Sequence, residues 1–527
     1  MMIVLAVSVL LAVESFREGL QDAFSTLSIV FFENMTLVLA SVVVGVILVK
    51  LLVPSAGKDD SKKQGAYGSI PIHKDSLMVQ LSYPWEVLAA VNMLWKQKVV
   101  NKVFGSSKLP KMNADDTWCF KMVKKVSRSF AMVIVNLPSE LRLSICVFYL
   151  ALRALDTIED DMKRIDSKTK IEMLQNFYKQ LADTNLSING IGEGDEATVL
   201  EQAAFMNRSL ASLPKSHQEV IVDITKKMGA GMAEFVEVDM GQGTVRTADY
   251  DKYCYYVAGL VGEGLSRLFS ASELEAPSVG KLTALSNSMG SFLQKVNIIR
   301  DYLEDFVEGR TFWPQEVWKK HMGNLGDMRD PAKESKSLEC LNEMVFDALR
   351  HVPDCMEYLS GIHHPDVFFF CAMPQVMAVA TLAKLYNNPK VFTGVVKIRK
   401  GTAAFLMEYS TSMPKVRGLF SNYIQEIQCN GDHSPERRAT LVKVLESIHD
   451  DRLEMPNMSG IAFVAFLTLV ASGVYLFAAT GFQLPPLTDY VNVAMLAVFF
   501  GSVAALLSLG FSPLAFHEAE AVRKTSD

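Results

Sequence analysis

The run YLALRALDTIEDDM, Tyr149–Met162, sets four carboxylates, Asp156, Glu159, Asp160 and Asp161, into a stretch of leucines and alanines. As a helix it places Asp156, Glu159 and Asp160 at i, i+3 and i+4, on one face. Like charges at that spacing repel and weaken the helix unless a cation compensates them. Clustered carboxylate oxygens are ligands for hard divalent ions, and Mg2+ in particular binds through one or two of them together with substrate phosphates. For one such run a solvated acidic face is the plainer reading. A second copy shifts the balance. NIIRDYLEDF, Asn297–Phe306, repeats the spacing with Asp301, Glu304 and Asp305, again among apolar residues, Ile298, Ile299 and Leu303. Two such faces about 145 residues apart predict two helices that meet across a bundle and hold several Mg2+ ions around a diphosphate. The ions would neutralise the leaving group and let an allylic C–O bond ionise.

The chain around these runs has a helical period. Leu338, Leu341, Val345, Leu349, Val352, Met356 and Leu359 recur at steps of three and four. No series of alternating strands and no internal repeat is evident, so the prediction is an all-α bundle over 75–453, whose packing also supplies an apolar cavity for a prenyl tail.

The chain has 527 residues, half of them hydrophobic and 21% charged, which is apolar enough to imply membrane segments. Met35–Val49 is uncharged and extends to Val53 if Lys50 snorkels, giving an N-terminal apolar, transmembrane segment over 1–53. The role of the first thirteen residues stays open. A polar linker rich in Gly, Ser and Lys is expected over 54–74. Near the other end, Ile461–Phe482 and Val491–Phe511 flank a loop with Pro485 and Pro486 and form a C-terminal transmembrane hairpin, 459–511, before a tail, 512–527. Arg452, Arg523 and Lys524 lie outside the hairpin and none lies in its loop, which puts both flanks in the cytosol. A single span with the second run in the interface stays open. A net charge of −6 argues against nucleic acid as a partner. Seven scattered cysteines without a CxxC pair argue against a disulfide framework or a structural zinc site.

Besides the acidic runs, the chain contains SRSF (Ser127–Phe130), YCYYVAGLVGEGLSRLFSAS, FLQKVNIIRDYLEDF, GRTFWPQEVW, FFFCAMPQVMAVATL and VKIRKG. These blocks, in this order between Trp85 and Glu426, resemble the squalene synthases, the farnesyl-diphosphate farnesyltransferases of the squalene/phytoene synthase family. The resemblance implies an isoprenoid synthase bundle that couples two farnesyl diphosphates to presqualene diphosphate and reduces it with NADPH to squalene. It implies Mg2+ ligation by Asp156, Glu159, Asp160, Asp301, Glu304 and Asp305. Ser127, Arg128, Ser129, Arg153, Gln294, Asn297, Arg300 and Arg310 match substrate-binding positions, where guanidinium forks suit phosphate oxygens. Tyr256 matches the tyrosine that takes a proton in the first half-reaction, whereas Tyr253 and Tyr255 read as core tyrosines. Phe368, Phe369 and Phe370 fall in the block whose aromatics line the cation pocket, with Phe368 and Phe370 named as catalytic beside Tyr256 and Arg153. No Rossmann fingerprint is present. Lys397, Arg399 and Lys400 of VKIRKG match the NADPH-contacting segment instead. The expected location is the endoplasmic reticulum membrane with the catalytic domain facing the cytosol, and a monomer suffices. The N-terminal span, the long EVDMGQGTVRTADY loop and apolar Phe306 and Val307 depart from the pattern. Related prenyl synthases with other products, and a non-catalytic prenyl-diphosphate sensor or membrane scaffold, are the rival readings.

Overall fold

The computed structural model describes residues 62–65, 68–73 and 112–448 except 432, with isolated positions between 75 and 93. The N-terminal span and the C-terminal hairpin expected above lie outside the described residues. The chain divides into two compact units, one of 1–58, 77–104 and 456–527, the other of 59–76 and 105–455. The helices from Ala114 onward all belong to the second.

Helix α1, Ala114–Val126, starts at Asn113, whose side chain accepts from the Asp116 amide at 2.8 Å. Asp115 and Asp116 in its first turn and Lys124 and Lys125 in its last complement the helix dipole. Ser127 then caps α2, Arg128–Asn136. Helix α3, Ser139–Asp160, carries the first acidic run, and its Leu141, Ile145, Phe148, Leu152, Leu155 and Ile158 form the buried stripe that the spacing requires. There follow α4 (Ser167–Gln180), α5 (Gly194–Glu201), α6 (Ala203–Ser212), α7 (Lys215–Phe235) and α8 (Thr247–Cys254). A π-helical turn, Tyr255–Gly259, joins α8 to α9, Leu260–Ala271. The second acidic run ends α10, Thr283–Arg300, and continues as α11, Tyr302–Glu308. The rest comprises α12 (Gln315–Trp318), α13 (Glu334–Leu349), α14 (Val352–Ser360), α15 (Pro365–Leu385), α16 (Lys400–Tyr409), α17 (Met413–Cys429) and α18 (Pro435–Ile448).

Helix α10 is central. It packs on the π-helical turn, α9, α13, α14 and α15, while α7 packs on α3, α4 and α9. Helix α15 is long and apolar enough to cross a membrane, with a mean hydropathy of 1.6, but 78% of that window is buried inside the protein. It is the core helix under the others.

The all-α expectation is corrected at one edge, where the fold is mostly helical rather than wholly so. Within the stretch read as a linker, β1 (Lys62–Gly65) pairs antiparallel with β2 (Gly68–His73). Strand β2 in turn runs parallel to β3, Val395–Val396, with Ile72 opposite Val395 and His73 opposite Val396. The Gly- and Lys-rich composition concealed the local hairpin, and the second partner of β2 lies more than three hundred residues away. Just beyond β2, Asp75 accepts from Lys384 Nζ at 2.9 Å and Arg399 at 3.1 Å, tying the hairpin to the helical body.

Candidate active site

Helix α3 delivers Asp156, Glu159 and Asp160 near its C-terminal end, and the chain then turns at Asp161. Asp161 is buried and serves the turn: its carboxylate accepts from the amides of Lys163 (3.1 Å), Arg164 (2.8 Å) and Gly192 (2.9 Å). The three remaining carboxylates are thus separated in role from the fourth. Lys170, buried on α4, donates to the Glu159 carbonyl at 2.8 Å and closes the helix end.

The second acidic run reaches the first through Arg310. Gly309, at φ 73°, ends α11 in the left-handed conformation that glycine adopts without penalty, and the Arg310 amide returns to the Asp305 carbonyl at 3.0 Å. The Arg310 guanidinium forms ion pairs with Glu159 and Asp160. One Glu159 oxygen meets it without hydrogen-bond alignment and has no other partner among the described residues. Asp305 and Asp156 also feel the Arg310 charge. Arg153 lies 3.5 Å from Asp156 and 3.8 Å from Glu196 of α5, and Arg300 grips Asp301 at 2.9 and 2.6 Å.

Burial pushes the Asp156 carboxyl up to about 6, against the pull of Arg153, and pushes Glu159 upward against that of Arg310. Asp305 is driven well above the carboxylate range, first by burial and then by Asp301. The six carboxylates of the two runs outnumber Arg153, Arg300 and Arg310, which leaves the ionised cluster net negative. An oxygen-only donor set with that surplus fits Mg2+. As the side chains stand, directed at arginines, no group of three or more His, Cys, Asp or Glu among the described residues has metal-holding geometry.

The Tyr256 hydroxyl donates to Glu234 at 2.8 Å, and Lys252 Nζ meets the same carboxylate at 2.5 Å. The Tyr256 ring lies against Gly231, where a Cβ would stand 2.2 Å from Cγ of the ring. The π-helical turn supplies the extra backbone residue that aims Tyr256 this way. Tyr253 is more than a core tyrosine: it is buried, stacks on Phe312 at 4.6 Å, and its hydroxyl lies 3.4 Å from Arg310 Nη2. Tyr255 lies beside Glu263.

Gln294 is half-buried and Asn297 exposed, both on α10, two turns and one turn before Asp301 respectively. The Ser127 side chain accepts from the Phe130 amide; the side chains of Arg128 and Ser129 lie outside the described residues. Phe368 and Phe370 are buried on α15, Phe370 edge-on to Phe269 at 6.1 Å, and Phe369 is half-buried. Lys397 and Lys400 are exposed at the start of α16, while Arg399 is drawn to Asp75. Two exposed lysines at a helix N-terminus fit the phosphates of NADPH.

Tyr149, Glu196 and Glu234 escaped the sequence reading, and Tyr253 was read only as a core tyrosine. Tyr149, whose hydroxyl accepts from Arg153 at 3.1 Å, sits one turn before that arginine and carried a helical-spacing signal. Glu196 and Glu234 come from other helices and carried none.

The squalene/phytoene synthase family model matches residues 123–402. The chain is 46% identical over 380 residues to the squalene synthase of Mus musculus, covering 71% of this chain and 89% of that one. It is 41% identical over 380 residues to squalene synthase 1 of Arabidopsis thaliana, covering 71% of this chain and 88% of that one. Its fold is similar to that of TcSQS in a ligand complex, with a TM-score of 0.62 and 40% identity, covering 64% of this chain and all of that one.

Proposed function

The chain belongs to the squalene/phytoene synthase family, and from that premise we infer its reaction: it is a farnesyl-diphosphate farnesyltransferase that joins two farnesyl diphosphates into presqualene diphosphate and converts this to squalene with NADPH. The observation that carries the reading is Arg310, which follows the second acidic run, pairs with Glu159 and Asp160 of the first, and acts electrostatically on Asp305 of the second.

Asp156, Glu159, Asp160, Asp301, Glu304 and Asp305 would hold Mg2+, which when bound neutralises the departing diphosphate. Arg153, Arg300 and Arg310 present guanidinium forks to phosphate oxygens, with Ser127, Arg128 and Ser129 at the same end of the substrate. Gln294 and Asn297 orient the substrate from α10. Tyr256 Oη receives the proton lost in the first half-reaction. Phe368 and Phe370 offer ring faces and exclude water from the carbocations, which water would quench. Lys397, Arg399 and Lys400 bind the phosphates of NADPH, which supplies the hydride of the second half-reaction.

The apolar product suits an enzyme held at a bilayer. The hairpin of 459–511 anchors the chain in the endoplasmic reticulum membrane, with the catalytic unit on the cytosolic side. Protease protection of that unit in sealed microsomes would refute this topology.

The reaction is tested with the full chain in detergent, farnesyl diphosphate and Mg2+, with and without NADPH, followed by extraction and mass spectrometry. Squalene with NADPH and presqualene diphosphate without it are expected. Dehydrosqualene, phytoene or botryococcene would identify a related synthase, and no prenyl product from folded protein would favour a sensor or scaffold.

A further inference from the structure

Asp75 lies ahead of Trp85, where the blocks that resemble the family begin, yet it touches the segment proposed to bind NADPH. The hairpin that leads to it holds that segment on both sides of Lys397. On one side β2 pairs with β3, Val395–Val396, and His73 Nε2 meets the Thr393 hydroxyl at 3.1 Å. Gly394 makes this approach possible: a Cβ there would stand 2.5 Å from the Pro71 carbonyl oxygen and 2.8 Å from His73 Nε2. On the other side Asp75 Oδ2 accepts from Arg399 Nη1 at 3.1 Å and from Lys384 Nζ of α15 at 2.9 Å. Arg399 is the residue from which α16 starts.

The segment stands beside the second acidic run. Strand β3 packs against α11, which carries Glu304 and Asp305, and Phe392, three residues before β3, is edge-on to Tyr302 of α11 at 5.3 Å. Lys397 and Lys400 are exposed here, whereas the Arg399 side chain is only 11% exposed.

We infer that Asp75 is a positioning residue of the NADPH site: by holding Arg399 while β2 holds β3, it fixes the stretch that presents Lys397 and Lys400 to the phosphates of the nucleotide. The inference rests on the proposed role of that stretch in binding NADPH. Long side chains on a fixed backbone have less freedom to lose when they bind a polyanion than the same side chains on a loose one. Burial works against the Asp75 charge, but hydrogen bonds from Lys384 and Arg399 outweigh it and hold the carboxyl below its ordinary range, so the tie is ionic at neutral pH. Glu426 of α17 feels the same two cations, so Lys384 and Arg399 are countered within the chain.

The test titrates NADPH into the full chain in detergent, read by the fluorescence of the reduced nicotinamide, beside presqualene diphosphate formation without NADPH. Asp75→Ala is expected to raise the Kd for NADPH about tenfold, the scale of one hydrogen bond to a charged group, while presqualene diphosphate formation changes less than about twofold. Asp75→Glu keeps the countercharge and should bind within about threefold of the parent. The direction of the change is decisive. Removing a carboxylate makes this edge more positive, so charge alone would tighten the binding of a polyanion. A tighter or unchanged Kd in Asp75→Ala therefore overturns the inference. So does an equal loss in both measurements together with a lowered Tm. The double variant Lys397→Ala, Lys400→Ala separates this failure from that of the underlying reading. If it binds NADPH like the parent, the stretch is not the nucleotide site; if it binds weakly while Asp75→Ala binds normally, only the role of Asp75 fails.

Discussion

Arg310 pairs with Glu159 because the left-handed turn at Gly309 sends the chain back from the second acidic helix onto the first. The guanidinium stands where substrate phosphates and cations are proposed to gather. Its removal leaves Glu159, which is only 6% exposed, without its countercharge. Arg310→Met is therefore expected to destabilise the metal-free protein by about 3 kcal/mol, the scale of breaking a buried pair from one side. Asp160, largely exposed, adds little to this. Millimolar Mg2+ should recover part of the loss in a thermal melt. An unchanged Tm without metal would show that the pair carries no stability.

Gly231→Ala introduces a Cβ 2.2 Å from the Tyr256 ring. Alanine itself favours the helix, yet the overlap costs about 1–3 kcal/mol or forces the ring aside. Presqualene diphosphate formation should fall at least about tenfold in kcat, with KM nearly constant. Steady-state kinetics at several substrate concentrations decides, and full activity would mean that the ring need not lie where it does.

Lys295 is fully buried on α10 and bridges Asp251 of α8 and Asp347 of α13, each at 2.6 Å. Lys295→Met removes the cation from between two carboxylates and should cost about 3–5 kcal/mol in urea denaturation. Adding Asp347→Asn should return part of that cost, since Asp251 keeps Arg350 at 2.6 Å. Strictly additive effects of the two substitutions would contradict a shared network.

His351 reaches Ser288 at 3.3 Å, and its other ring nitrogen is buried without a partner. Burial, and then the charges of Lys295 and Arg350, push its pKa down to about 3. A folded-state value below the unfolded one, near 6.5, means that protonation favours unfolding. The contribution is present above pH 6.5 and is lost as the pH falls from there toward 3. At pH 5 the loss is about 2 kcal/mol. Tm should fall more steeply between pH 7 and 5 in the parent than in His351→Gln, and parallel curves would disprove the assignment.

Much of the site was legible because it is written locally. The i, i+3, i+4 carboxylates, the helical stripe of α3 and the capping residue before α1 all depend on neighbours within one or two turns, and the helices formed where those patterns stand. Asp161 was counted with the acidic run because spacing does not reveal a carboxylate consumed by three backbone amides of a turn. Tyr253 read as core for a related reason. Its burial is a core property, and only the return of Arg310 gives its hydroxyl a partner in the site.

Sequence by itself determined the helical class, the two acidic faces and the family, since each is carried by residue types at short, fixed spacings. Tertiary structure decided that Arg310 closes one acidic face onto the other, that Glu234 receives the Tyr256 hydroxyl, and that a Gly- and Lys-rich stretch becomes a strand beside Val395 and Val396. Those contacts join residues far apart in the chain. Their energy comes from burial and charge pairing that arise only when the helices pack, and no local pattern has to record them.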